Sequence, residues 1–173
     1  LGRAIALRLA EEGARMALCD IDGAGLDRTV ADITAKGGQA FGLVGDVTDE
    51  EPAARLIADA VARYGRLDVL VNNVGGSRPA KIWDMKVEDW DFVLRNLRSA
   101  FLCTRAAVPH MMKQRSGRIV CLSSGAREGT PWTAYYQGGS AYSAAKAGVH
   151  GLIRDVGLGL AGYGITVNAV APG

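Results

Sequence analysis

Five short apolar runs, separated by stretches with helical periodicity, constrain this chain more than any other feature. The runs are Met16–Cys19, Ala40–Val44, Val69–Val71, Ile119–Leu122 and Ile165–Val170. Each is too short for a helix of ordinary length and is bounded by Gly, Asp, Asn or Ser, so each reads as a strand. Between them, apolar residues recur at three- and four-residue spacing. Ile5, Ala6, Leu9 and Ala10 lead from Gly2 to a stop at Gly13, and Leu26, Val30 and Ile33 lead to Gly37-Gly38. Leu56, Ile57, Ala60, Val61 and Tyr64 end at Gly65, with Thr48 and Glu51 in front of them as a capping box. Trp90, Val93, Leu94, Leu97, Phe101 and Leu102 open a long helix that ends at Gly117, with a kink expected at Pro109. Segments 77–86 and 125–139 read as loops, and an Ala-rich helix runs from there to about Ala161.

Strands of continuous apolar character alternating with helices predict an α/β fold, a doubly wound parallel sheet covered on both faces. Sheets of this kind take ligands beyond the carboxyl ends of their strands. Asp20, Asp46, Asn72, Ser124 and Pro172 each follow the apolar run of a different strand. Five polar or turn-forming positions are therefore expected at one edge.

At 173 residues the chain has the length of a single domain, and 49% hydrophobic against 22% charged residues suits an ordinary globular protein. A net charge of +2 gives no reason to expect nucleic acid or an acidic membrane surface as a partner. Cys19, Cys103 and Cys121 sit among apolar residues without metal-ligand spacing. They read as reduced core thiols of a cytoplasmic protein, and no metal site is expected. The sequence opens at Leu1, already inside a helical pattern, and closes at Pro172-Gly173 just after a strand. Both ends read as cut, so residues 1–173 are expected to form one dinucleotide-binding oxidoreductase domain that lacks its first strand and its C-terminal segment. Poor melting cooperativity and loss of dinucleotide binding are expected of such a piece alone.

Tyr142 and Lys146 stand four positions apart in Tyr142-Ser143-Ala144-Ala145-Lys146, one above the other on a helix face. An ammonium beside a phenol favours the phenolate, which suits the tyrosine to general acid/base work near neutral pH. Gly2 precedes a helix whose first N–H groups can receive a phosphate. Asp20 lies 18 positions further on at a strand end, where dinucleotide folds place the acid that accepts from the adenosine ribose. Asp22 is the neighbouring helix cap.

Taken in order, Asp46-Val47, Asn72-Asn73-Val74-Gly75, Asn96, Ser124, Tyr142-x-x-x-Lys146 and Asn168 to Gly173 resemble the short-chain dehydrogenase/reductase family over essentially the whole chain. Leu1-Gly2 looks like the end of that family's glycine-rich loop. The resemblance implies a Rossmann-like fold and a catalytic set of Asn96, Ser124, Tyr142 and Lys146. Tyr142 would exchange a proton with the substrate oxygen, and Lys146 would lower the tyrosine pKa and hold the nicotinamide ribose. Ser124 would hydrogen-bond the substrate oxygen, with Ser123 as the alternative serine, and Asn96 would hold a water leading from Lys146 to solvent. NAD, rather than NADP, would lie on Gly2, Asp20, Asp46, Val47, Asn72, Val74, Gly75, Tyr142, Lys146, Pro172 and Gly173. The substrate would be a small alcohol or ketone and the protein a homo-oligomer, a dimer or tetramer. Two features depart from the family pattern: the Ser124-to-Tyr142 interval is long, and Val74 stands where alanine is usual.

Arg127, Trp132 and Tyr136, in the loop between Ser124 and Tyr142, are the candidate substrate contacts, with a solvated arginine as the plainer reading of both Arg127 and Arg78. His110 and His150 have no partner at triad or metal spacing and read as ordinary helix residues. A non-catalytic dinucleotide-binding or scaffolding protein and a sugar-nucleotide epimerase are the rival functions. The complete tetrad argues against the first, and the Asn72-to-Gly75 motif argues against the second.

Overall fold

A computed structural model describes residues 1–172 of the chain. They divide into two units, Leu1–Leu67 and the segment from Asp68 onward, each with its own parallel sheet.

In the first unit the order is α1 (Gly2–Glu11), β1 (Met16–Asp20), α2 (Gly23–Ala35), β2 (Ala40–Val44) and α3 (Glu50–Tyr64). β1 and β2 pair in parallel, with Met16 opposite Ala40 and Asp20 opposite Val44. Ala6, Ile33 and Ala40 form the buried centre of this unit, and Leu7, Ala10, Met16, Leu18 and Val30 close around it. β1 is half-buried, not buried as its apolar run predicts, because β2 is its one ladder partner among the described residues. Asp22 caps α2 by accepting from the Gly25 N–H at 3.0 Å, as its position after the strand suggests. The helix start expected at Thr48 is displaced by one residue. The Asp46 carboxylate accepts from the Thr48 N–H at 2.9 Å and draws Thr48 into a turn, so Asp49 becomes the N-cap of α3. Gly65 ends that helix in the left-handed region, at φ 76°.

The second unit contains β3 (Val69–Asn72), α4 (Val87–Gln114), β4 (Gly117–Leu122), a 3-10 turn at Gly125–Glu128, α5 (Pro131–Tyr136), α6 (Ser140–Leu160), a 3-10 turn at Ala161–Tyr163 and β5 (Ile165–Val170). Its strands run in parallel in the order β3-β4-β5. α4 continues through Pro109 and stops at Arg115, which takes a left-handed φ of 53°. Gly117, expected to stop the helix, is instead the first residue of β4; a β-carbon there would come within 2.9 Å of three Met111 side-chain atoms. α4 and α6 pack closely where a β-carbon on Gly148 would lie 2.6 Å from Leu97 Cδ2. Val93 from α4 and Ala141 and Ala145 from α6 are buried at this contact, with Met85, Trp90, Phe92, Leu94 and Tyr142 against them. Burying side chains of this size stabilises by roughly 1.5–3 kcal/mol for each large one, and it fixes the face of α6 that carries Tyr142.

The segment 125–139, expected to be irregular, holds the 3-10 turn and α5. Ser124 caps the turn, and Pro131 at the start of α5 supplies a φ already suited to a helix.

Candidate active site

Tyr142 and Lys146 occupy successive turns of α6. Lys146 is 4% exposed, and its Nζ donates to the Leu122 carbonyl at 2.6 Å, tying α6 to the end of β4. The same Nζ lies 5.6 Å from the centroid of the Tyr142 ring. Burial pushes the Lys146 ammonium below its ordinary pKa, against a weaker opposing effect of the Cys121 thiol. No hydrogen bond joins the Tyr142 hydroxyl to Lys146 or Ser124 among the described residues; the ammonium lies over the ring.

The loop after β3 reaches this pair through Gly75. A β-carbon on Gly75 would sit 3.5 Å from Lys146 Nζ and 3.9 Å from Asn96 Oδ1. Asn96, 6% exposed in mid-α4, holds the next residue at both ends of its peptide: the Gly76 N–H donates to Asn96 Oδ1 (2.8 Å), and Asn96 Nδ2 donates to the Gly76 carbonyl (2.7 Å). The Ser99 hydroxyl donates to the Asn96 carbonyl at 2.9 Å. The Asn96 side chain is therefore an anchor for the loop. Asn72 has a similar task. Its Nδ2 donates to Thr104 Oγ1 (3.1 Å) and Cys121 Sγ (3.4 Å), bridging α4 and β4. Val74 is 40% exposed beside this loop.

The two serines after β4 part company. Ser123 is buried: its hydroxyl donates to the Lys146 carbonyl (3.2 Å) and lies 3.0 Å from His150 Nε2. Ser124, fully extended at φ −163°, accepts from the Ala126 N–H at 3.1 Å. Arg127 is engaged within the chain: its Nε donates to Glu128 (2.8 Å) and its Nη1 lies 3.2 Å from His150 Nε2. His150 thus has the partners that its spacing hid, Ser123 and Arg127, which lie 27 and 23 residues earlier. Arg78 is likewise engaged, by Asp89 at 2.6 Å and by the Phe92 face at 4.0 Å. Trp132 and Tyr136 are 65% and 60% exposed and stack with ring centroids 4.2 Å apart, and Tyr135 meets Tyr136 edge-on at 4.9 Å. Lys81 fastens segment 77–86 to α5 by donating to the carbonyls of Ala134 (2.8 Å) and Tyr135.

In the first unit, Asp20 is exposed at the carboxyl end of β1, where its carboxylate accepts from the Asp22 N–H at 2.9 Å. Asp46 follows β2 on the same edge of that sheet, Val47 is buried, and Gly2 opens α1. On the second sheet, Asn72, Ser124 and Pro172 share the carboxyl edge, with Pro172 accepting from the Gly125 N–H at 2.8 Å. Gly173 lies outside the described residues. Among the described residues there is no metal-binding cluster, and no helix is long and apolar enough to cross a membrane.

The short chain dehydrogenase family profile matches residues 1–173. The chain belongs to the short-chain dehydrogenase family. Its fold is accordingly the Rossmann-like α/β fold of that family of oxidoreductases. It is 43% identical to a 3-oxoacyl-[acyl-carrier-protein] reductase of Staphylococcus aureus over 180 residues, all of this chain and 69% of that one. Among solved structures it is similar to an NAD+-bound xylitol dehydrogenase (TM-score 0.92, 36% identity), covering 99% of this chain and 65% of that one. A metagenomic short-chain oxidoreductase in complex with NADP is also similar (TM-score 0.90, 32% identity), with 99% and 76% covered. This short-chain dehydrogenase chain therefore spans about two thirds of the length of the reductase and the xylitol dehydrogenase.

Proposed function

We propose that the chain transfers a hydride between NAD(H) and an alcohol/carbonyl pair, with Tyr142 as general acid/base. The observation that carries this reading is Lys146, buried on the Tyr142 face of α6 with its ammonium over the phenol ring and the Gly75 backbone against it. Lys146 bonds to one carbonyl, and Gly75 is exposed at that point, so a ribose hydroxyl can meet Nζ where a side chain would otherwise crowd it. The residues present therefore fit a nicotinamide dinucleotide.

Lys146 and Tyr142 would hold the nicotinamide ribose; Gly75, Val74 and the backbone of Asn72 and Pro172 would line the ring end. Asp20, with Gly2, Asp46 and Val47, would serve the adenosine and phosphate end. The bound nicotinamide supplies the hydride acceptor or donor. In the oxidation direction, the Tyr142 phenolate takes the proton of the substrate hydroxyl while the C–H bond yields its electron pair. In reduction, the phenol returns that proton to the carbonyl oxygen. Ser124 donates to the same oxygen as negative charge gathers on it. The exposed carboxylate of Asp20 accepts from ribose hydroxyls and repels a 2′-phosphate, which favours NAD over NADP; similar proteins occur with each. The aromatic set of Trp132, Tyr135 and Tyr136 suits an apolar substrate face.

We place the protein in the cytoplasm as a homo-oligomer. An apolar groove of about 380 Å³ between α4 and α6, lined by Phe101, Val108, Pro109, Leu152 and Val156, is the surface on which a second copy would pack. The test is NADH absorbance with a panel of an acetoacetyl thioester, cyclohexanone and a ketose, run on the protein and on Tyr142→Phe. Turnover lower by about 10²–10⁴-fold in the variant, with NADH affinity kept, is the expected result. Full activity of Tyr142→Phe at neutral pH would sink the assignment.

A further inference from the structure

Ser124 sits in a turn whose two flanks are both fastened to α6. On the β4 side, the Ser123 hydroxyl reaches the Lys146 carbonyl at 3.2 Å and His150 Nε2 at 3.0 Å. On the far side, the Arg127 guanidinium reaches the same Nε2 at 3.2 Å. Between them the backbone folds tightly: the Gly125 N–H donates to the Pro172 carbonyl (2.8 Å) and the Arg127 N–H to the Ser124 carbonyl (3.2 Å). His150 lies one turn after Lys146 on the helix that also bears Tyr142. One ring nitrogen therefore ties the residues before and after Ser124 to the helix that carries the other reacting groups.

We propose that His150 is a positioning residue that sets Ser124 against Tyr142 and Lys146 by clamping Ser123 and Arg127 to α6. The proposal rests on the reading of those three residues as the reacting set.

The chemistry of the partners decides the state of the ring. A guanidinium has only N–H donors, so Nε2 must offer it a lone pair, and the proton of the neutral ring resides on Nδ1. The Ser123 hydroxyl shares its one proton between Nε2 and the Lys146 carbonyl. Protonating His150 would place an N–H where the Arg127 N–H already points and set two cations 3.2 Å apart. The groups that face the ring are Arg127 and Glu128 from the 3-10 turn, Arg154 from α6 itself, and Ser123 from the end of β4. Burial, then Arg127 and Arg154, hold the imidazole below its ordinary pKa against the weaker pull of Glu128. The clamp is thus closed at neutral pH and opens as pH falls below the usual histidine range.

The experiment compares the full chain with His150→Ala and His150→Gln. Glutamine presents an amide oxygen to Arg127 and does not titrate. Amide hydrogen exchange over residues 125–128 and NADH turnover with the ketone panel are each followed from pH 5 to 8. In His150→Ala, exchange in this turn should speed by about tenfold or more at pH 7.5, as a local opening would. Turnover should drop by roughly 10–100-fold, as expected for a displaced reacting group, with the KM for NADH unchanged. His150→Gln should recover most of the turnover and lose the acid limb shown by the unsubstituted protein. Unchanged exchange in His150→Ala, or an acid limb retained in His150→Gln, would overturn the proposal. If the unsubstituted protein turns over no ketone at all, the hydride-transfer reading falls, while the exchange pattern still decides the clamp.

Discussion

Asn96→Asp isolates what the asparagine does in α4. Asn96 is 6% exposed, accepts from the Gly76 N–H at 2.8 Å and donates to the Gly76 carbonyl at 2.7 Å. An aspartate carboxylate keeps the first bond and turns the second into two oxygens facing each other. The lost bond costs roughly 0.5–1.5 kcal/mol and the buried, unsatisfied oxygens roughly 1–3 kcal/mol, so about 2–4 kcal/mol in sum. For a chain of this length each kcal/mol lowers the melting temperature by about 2–4 °C, which gives a fall of roughly 5–15 °C at pH 8. A protonated carboxyl, by contrast, can donate to the Gly76 carbonyl and reproduces both bonds. The folded state therefore binds the proton more tightly than the unfolded chain. At 1.36 kcal/mol per pKa unit, the introduced group would titrate about 1.5–3 units above the ordinary aspartate value of about 3.9. The variant is near full stability below about pH 4 and loses it as pH rises through that window. Trp83, Trp90 and Trp132 all lie in the second unit, so tryptophan fluorescence melts report on that unit alone. Asn96→Ala serves as the control that loses the bonds at every pH. An aspartate variant that melts like the unsubstituted protein at pH 8, or runs parallel to the alanine variant across pH, would refute the anchoring role.

Two further tests bear on the ligands. Asp20→Ala should narrow the preference for NAD over NADP, read as the ratio of kcat/KM for the two cofactors. A native preference for NADP would show that the strand end is misread. Trp132→Ala should raise the KM of the ketone far more than that of NADH, because the ring is 65% exposed and stacks only within the α5 aromatic set. Equal effects on both would return α5 to a packing role.

Ala40–Val44 and Ile165–Val170 have the boundaries that their apolar runs predict, because Gly, Asp or Ala-Pro marks their ends, although one face of each is exposed and not covered as a continuous apolar run suggests. The misplaced ends share one cause. At Thr48 a side chain–backbone turn from Asp46 outcompetes the capping signature, and at Arg115 a non-glycine residue takes the left-handed position that Gly117 was expected to fill. In both places a neighbour decides a conformation that local composition leaves open. α5 was missed because six residues are too few to show a helical period. Asn96 was legible as a misfit inside an amphipathic helix, and a buried polar residue at a helix interior needs partners; which partners, the spacing does not say. The His150 contacts with Ser123 and Arg127 span 27 and 23 residues and follow no period, so only the packed chain brings them together.

The Ser123-Ser124 pair shows how one residue of register separates two functions. Extended backbone turns successive side chains to opposite faces, so of two adjacent serines only one can meet α6. β4 packs with Ile119 and Cys121 buried at 1% exposure, and the same alternation carries Ser123 inward, where its hydroxyl closes on the Lys146 carbonyl. Ser124, at φ −163° and ψ 154°, continues the extended path and points the other way. A one-residue shift of β4 would exchange the two, carrying the Ser123 hydroxyl into the turn and that of Ser124 into the core. The register is held by β5 on one side, where Gly117 to Leu122 face Ile165 to Val170, and by β3 on the other. The pairing of three strands thus turns the two serines to opposite sides, and the first serine is the one through which α6 holds the turn that carries the second.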